Sequence, residues 1–267
     1  MQAIDDLTLL TDAAMEAGAI ASRYFHGDAK AWDKPDGTGP VTEADLAVDN
    51  FLRNELLRAR SGYGWLSEET TDNAARLAAE HVFIVDPIDG TRAFIDGSQD
   101  WAISLAVVHD GKPSAAAIYL PERQALFAAA AGSGATLDGT PIATSSQTDL
   151  GQAQILMTKP NLQPHFWRDD TPKLKRSFRS SLAYRMGLVA QGRYDAMLAL
   201  RATWEWDIAA GALIVSEAGG TASDGNGAPL RFNNPHPQVA GVLAAGAPLH
   251  ARLSAALAPQ DPDIASA

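Results

Sequence analysis

The seven residues VDPIDGT at positions 85–91 constrain this chain more than any other stretch. Val82, Phe83, Ile84 and Val85 make a short apolar run that ends in acid, the pattern of a buried strand, and it delivers Asp86 and Asp89 three residues apart. Pro87 has no N–H to give a ladder, so the chain is expected to leave the sheet there with both acids facing one point. Gly90 permits a tight turn. The N–H groups of Gly90 and Thr91, opening a short helix, would suit a phosphate oxygen. Carboxylates clustered beside an anion site require a cation between them, because like charges raise one another's pKa and repel the anion. The segment therefore reads as a carboxylate cage for divalent metal ions.

Composition narrows the chemistry further. The chain has no cysteine, which excludes disulfides, thiolate metal sites and a cysteine nucleophile, favours hard metals with oxygen ligands, and fits a reducing compartment. A formal net charge of −11 argues against a nucleic-acid polymer as partner, since such binders neutralise phosphates with basic surfaces. A small anionic substrate stays open if bound cations invert the local field. The opening MQAIDDLTLL carries two aspartates where a secretory signal needs positive charge, and no apolar run approaches the ~20 residues that span a bilayer. The expectation is a cytoplasmic protein without a membrane partner.

Along the chain, residues 4–25 show helical apolar spacing, 27–40 read as a loop, and Thr42 with Asp45 suggests a capping box opening a helix over 42–60. Strands are expected at 63–66, 82–85, 101–109, 114–120 and 124–131, with Asp110-Gly111 as a hairpin turn. Beyond residue 151 come a strand at 154–157, a polar loop, a helix at 181–191 and a strand at 196–200. An apolar helix then opens at Trp206 and Asp207 and stops at Gly219-Gly220, followed by a strand at 239–244, a short helix and a loose tail over 258–267. The two halves divide as 1–145, α+β, and 146–267, α/β.

Four motifs in order carry a resemblance that covers nearly the whole chain: VTEAD at 41–45, SEE at 67–69, DPIDGT at 86–91 and WDIAAGALIVSEAGG at 206–220. On these the chain resembles the inositol monophosphatase family of magnesium-dependent, lithium-sensitive phosphatases. The resemblance implies an α+β fold, a layered α/β/α/β/α sandwich of the inositol monophosphatase and fructose-1,6-bisphosphatase type, with the active site between the halves, and a homodimer. It implies two or three Mg²⁺ ions. Glu68, Asp86 and the Ile88 carbonyl would hold the first, Asp86, Asp89 and Asp207 the second, and Glu68 a third through water. Thr91 and Asp45 would orient and deprotonate the attacking water, Gly90 and Thr91 would receive the phosphate, and Ser180, Ser181 and Arg185 would contact the substrate.

Glu68 is assigned as ligand ahead of Glu69, because adjacent strand-end side chains point apart. Asp45 and Asp207 also suit helix starts, which is compatible with a role at the site. Lys34 lies near the site by analogy. Trp204 and Trp206 read as structural, and the six histidines show no ligand spacing. Inositol-selective relatives carry a glutamate seven residues before the second motif's aspartate, where this chain has Leu200. HDGKPSAAAIYLPE, SSLAYR and ATWEWDIAAG are similar to 3′(2′),5′-bisphosphate nucleotidases, so the expected substrate is 3′-phosphoadenosine 5′-phosphate or an inositol monophosphate. DGTRAFIDG resembles histidinol-phosphate phosphatases, and fructose 1,6-bisphosphate is a further alternative. Some family members bind the transcription machinery, which is the alternative of another class.

Overall fold

Residues that bury one face along a helix or both faces of a strand dictate the layers. The computed structural model describes residues 2–259 except 28, 36 and 38. Helix α1 (Gln2–Phe25) is followed by a short antiparallel pair, β1 (Ala31–Asp33) and β2 (Pro40–Thr42), within the segment expected to be loop. Helix α2 (Glu43–Ala59) begins with the expected capping box: Asp45 N donates to Thr42 Oγ1 at 3.4 Å and Thr42 N donates to Asp45 Oδ2 at 2.8 Å.

Seven strands then form one sheet: β3 (Gly64–Ser67), β4 (His81–Asp89), β5 (Ala102–His109), β6 (Lys112–Leu120), β7 (Ala125–Ala130), β8 (Ala135–Leu137) and β9 (Thr140–Pro141), ordered as in sequence, with α3 (Thr91–Ile95) between β4 and β5. Only β3 and β4 are parallel in this sheet. A five-stranded sheet follows, ordered β11-β10-β12-β14-β13, from β10 (Gln154–Leu156), β11 (Lys175–Ser177), β12 (Ala196–Trp204), β13 (Gly220–Ser223) and β14 (Gln238–Gly246). Helices α4 (Leu182–Ala190), α5 (Glu205–Glu217) and α6 (Ala247–Ala256) complete the fold.

Strand alternation sorts the cores. Phe83 and Val85 of β4 pack with Leu10 and Ala14 of α1 and Val48 and Leu52 of α2. Their neighbours Val82 and Ile84 face the opposite way, onto a core shared with α4, α5 and the inner face of the second sheet, including Met186, Ile214, Met197 and Val242. The outer face of the second sheet, with Leu198 and Leu243, is covered by Leu249 and Leu253 of α6. The result is the layered α/β/α/β/α sandwich. Among the described residues no helix is long and apolar enough to cross a membrane.

Three expectations on boundaries need correction. The strand of 82–85 runs on through Pro87 to Asp89, β12 reaches Trp204, and α5 begins at Glu205, which puts Asp207 inside its first turn. Residues 260–267 of the expected tail lie outside the described residues.

Candidate metal centre

The end of β4 explains how two acids three residues apart reach one point. In a regular strand such residues face opposite sides. Here Asp86 pairs with Ser104 and Asp89 with Ala102, so four residues of β4 oppose three of β5 and the extra residue re-phases the alternation. Pro87 sits in this bulge, where its missing N–H breaks no regular ladder position, so it bends the strand without ending it. Asp86 Oδ1 accepts from Ile88 N at 3.0 Å, which tightens the bulge. Gly90 then takes φ +102, and a Cβ there would lie 3.1 Å from the Asp100 carbonyl, so the turn into α3 requires glycine.

The third acid arrives from the other side of the shared core. Asp207 projects from the first turn of α5, and one oxygen from each of Asp86, Asp89 and Asp207 lies within 4.8 Å of the others. Asp86 is 1% exposed and Asp89 6%, and the three together could hold a metal ion. An all-carboxylate donor set suits hard ions such as Mg²⁺, Mn²⁺ or Ca²⁺.

The electrostatics express that crowding. Burial, then the charges of Glu68, Asp89, Asp207 and Asp45, holds Asp86 well above the usual carboxylate range. Asp207 is raised by burial and by Asp89 and Glu68, against the pull of Arg201. Burial lifts Asp89 to about 6, opposed by the Ser181 hydroxyl and the N–H groups of Ala183 and Leu182. Burial also lifts Asp45 to about 6, against hydrogen bonds from Thr42. A bound cation would reverse all of these shifts by stabilising the charged forms.

The remaining residues named from the sequence fall around this cluster. Thr91 Oγ1 lies 3.2 Å from both Asp45 Oδ1 and the Ile88 carbonyl oxygen. Glu68 is near enough to act on the charges of Asp86, Asp207 and Asp45, but its carboxylate stands outside the close trio and is ion-paired with Lys34 Nζ at 2.8 Å. Lys34 also pairs with Glu69 at 2.8 Å. Burial works to lower the Lys34 pKa, yet the two glutamates prevail and raise it. Glu69 is lifted by burial and by Glu68 to about 7.

Ser181 caps α4 by accepting from Tyr184 N at 2.9 Å and donates to Asp89 Oδ2 at 2.5 Å, while Ala183 N donates to the same oxygen at 2.6 Å. Asp89 is therefore fixed by the start of α4. Ser180 is exposed, and its carbonyl accepts from Arg185 Nη2 at 3.4 Å. Arg185 is buried, donates through Nε to the Arg179 carbonyl at 2.5 Å, and carries charge that acts on Asp89. Trp204 and Trp206 stack on each other with centroids 4.6 Å apart.

Sequence reasoning missed two features near these elements. Leu200 is 3% exposed and packs into the α6 core, while its neighbour Arg201 is exposed in a register irregularity of β12 between Ala199 and Ala202. Arg201 makes no ion pair among the described residues, and its charge acts on Asp207 and Arg185. The second feature is at the far end of β4, where pairing places His81 beside His109. Spacing along the chain shows neither, because both depend on strand register.

Comparison with known proteins identifies the family and the fold. The model of the inositol monophosphatase family matches residues 5–260. Inositol monophosphatase 3 of Solanum lycopersicum is 33% identical over 232 residues, covering 83% of this chain and 86% of its own. A histidinol-phosphatase of Mycobacterium tuberculosis is 35% identical over 240 residues, covering 84% and 90%. The crystal structure of the extragenic suppressor protein suhB from Bartonella henselae superposes with a TM-score of 0.81 at 28% identity, covering 94% of this chain and 97% of that one. The chain belongs to the inositol monophosphatase family and is a phosphatase.

Proposed function

We propose that the protein is a Mg²⁺-dependent phosphomonoesterase acting on a small phosphorylated metabolite that carries a second anionic group, with 3′-phosphoadenosine 5′-phosphate as the representative substrate. The trio Asp86, Asp89 and Asp207 carries the reading, since two buried carboxylates and a half-buried one, with an oxygen from each within 4.8 Å of the others, need a divalent counter-charge. With Glu68 and the Ile88 carbonyl they form the set that would hold the ions. Bound Mg²⁺ supplies charge neutralisation at the phosphoryl oxygens and activates water.

The chain's own residues do the rest. Asp45 accepts from Thr91 at 3.2 Å, and this pair orients the attacking water and takes its proton. The N–H groups of Gly90 and Thr91 receive a phosphate oxygen, water attacks phosphorus, and the bond to the substrate's alcohol oxygen breaks, the released alkoxide taking a proton from solvent water. Asp89, clamped by Ser181 and Ala183, is held still while charge moves. Lys34 neutralises Glu68 and Glu69 at the edge of the site.

Arg201 supports the second anionic group. Where an inositol-selective site presents a carboxylate to ring hydroxyls, this chain buries Leu200 and exposes an arginine beside Asp207 and Arg185. An arginine fork suits a phosphate, and a substrate bearing an ammonium, such as histidinol phosphate, would be repelled. Fructose 1,6-bisphosphate shares the second phosphate and is the competing bisphosphate. Inositol monophosphate is the second reading, favoured by the similarity to the tomato enzyme. A purely regulatory role with the transcription machinery is disfavoured by the retention of Asp89, Thr91 and Asp207. Lithium inhibition, a homodimer and a cytoplasmic location belong to the same reading, the dimer being checked by light scattering.

The test is kcat/KM for these four phosphates with and without Mg²⁺ and Li⁺. Arg201→Ala is expected to raise KM for the bisphosphate by about tenfold, the scale of one lost ionic hydrogen bond, and to leave inositol 1-phosphate unchanged. Hydrolysis of every phosphate without divalent metal would refute the metal reading. A wild-type preference for inositol 1-phosphate or histidinol phosphate would refute the substrate class alone.

A further inference from the structure

The other end of β4 brings together a second group of side chains that could hold a metal, His81 of β4, Glu80 just before it and His109 of β5, and its chemistry differs from that of the carboxylate trio. Antiparallel pairing of β4 with β5 sets His81 directly across from His109, and Glu80 precedes His81. One donor atom from each of Glu80, His81 and His109 lies within 4.8 Å of the others. Five residue steps of extended strand separate His81 from Asp86, roughly 16 Å at the usual rise per residue, so the two groups are independent. Clefts of about 490 and 260 Å³ open beside Glu80 and His109. Neither cleft includes the carboxylate trio.

The geometry points to a Zn²⁺-class transition-metal site formed by Glu80, His81 and His109. Two imidazoles and one carboxylate form a borderline donor set that suits Zn²⁺, whereas Mg²⁺ and Ca²⁺ prefer oxygen alone. The ions would therefore sort themselves between the two ends of the same strand. His81 is already positioned: its ring stacks on Tyr63 with centroids 4.8 Å apart and on His109 at 4.6 Å. The other two ligands can adjust. His109 Nε2 is 3.5 Å from Glu80 Oε1, and their side chains are 49% and 77% exposed. Zinc bonds of about 2.0–2.1 Å put neighbouring donors roughly 3.4 Å apart, close to the separation of Glu80 and His109. Because a metal lies in the imidazole plane, the exposed His109 ring must turn out of its stack on His81 to bind. Three protein ligands leave a fourth position for water.

Purified protein is dialysed to equilibrium against Zn²⁺ in excess Mg²⁺ for wild type, His81→Ala, His109→Ala, Glu80→Gln and the control His165→Ala, whose ring contacts Phe166. The first two variants should bind one Zn²⁺ fewer than wild type, Glu80→Gln should weaken that ion about tenfold, and His165→Ala should match wild type. Ni²⁺ should also broaden the imidazole NMR signals of His81 and His109 ahead of the other histidines. Unchanged phosphatase activity in Mg²⁺ shows that each variant is folded. Equal Zn²⁺ stoichiometry in wild type and both histidine variants would overturn the site, as would complete displacement of Zn²⁺ by Mg²⁺.

Discussion

Two sets of acids in this molecule are balanced in different ways. Asp6 accepts from Arg60 Nε at 2.9 Å and Tyr63 OH at 3.0 Å, and Asp49 accepts from Ser67 Oγ at 2.5 Å and Thr70 Oγ1 at 2.6 Å. Glu205 takes two N–H groups of Asn234 and the backbone N–H of Asn233. Each of these acids has its donors supplied by the chain. Asp86 and Asp89 also accept hydrogen bonds from the chain, from Ile88 N and from Ser181 Oγ and Ala183 N, but they crowd against Asp207, and the charge that would balance all three must come from outside. The difference separates acids that hold the fold from acids kept available for a ligand, although Asp86 and Asp89 are as buried as the first set.

Exchanging one acid from each set should break the comparison if it is wrong. Asp207→Asn or Asp89→Asn should cost on the order of 10³ in kcat/KM, the scale for losing a group that stabilises transition-state charge. The same changes should raise Tm in EDTA, because they relieve like-charge repulsion. Near wild-type turnover in both variants would remove the trio from the chemistry. Asp6→Asn should behave inversely, losing about 1.5–3 kcal/mol from broken charged hydrogen bonds while the folded enzyme keeps its kcat/KM. Denaturant unfolding and initial rates on the same samples read both quantities. If Asp6→Asn lost activity without stability, the division into two sets would fail.

How much of this was legible in the sequence depends on whether contacts are local. The capping box at Thr42 and Asp45, the helix stripes and the hairpin at Asp110-Gly111 are set by neighbours within a few residues, so composition and spacing reveal them. Convergence of Asp86 and Asp89 was legible, but its cause was misread: Pro87 makes a bulge inside β4 and does not terminate it. Asp207 was located by resemblance, since nothing local tells a helix-start acid from one that meets the acids of a distant strand. Ser181's bond to Asp89, spanning 92 residues, and the outward turn of Arg201 in place of Leu200 follow from register and packing. No single segment contains that information.

The smallest expected effect sharpens the comparison through pH. Folding raises Asp45 and Asp89 to about 6 and Glu69 to about 7, all above their unfolded values near 4. For an acid raised in this way the native state binds the proton more tightly, so its stabilisation is complete below the unfolded pKa and is lost as pH rises through the folded one. Metal-free protein should therefore lose a few degrees of Tm between about pH 5 and 7.5, each kcal/mol being worth ~2–4 °C at this size. His250, whose burial lowers its pKa, pulls the other way, and Asp72, held below its ordinary value by Arg76, titrates beneath this window. Mg²⁺ isolates the carboxylates from both, because it requires the deprotonated acids and should flatten or invert the slope. Asp89→Asn should shrink the difference between the EDTA and Mg²⁺ curves, whereas Asp6→Asn should shift both curves down together. Parallel EDTA and Mg²⁺ curves in wild type would mean that the crowded acids are satisfied from within the protein after all.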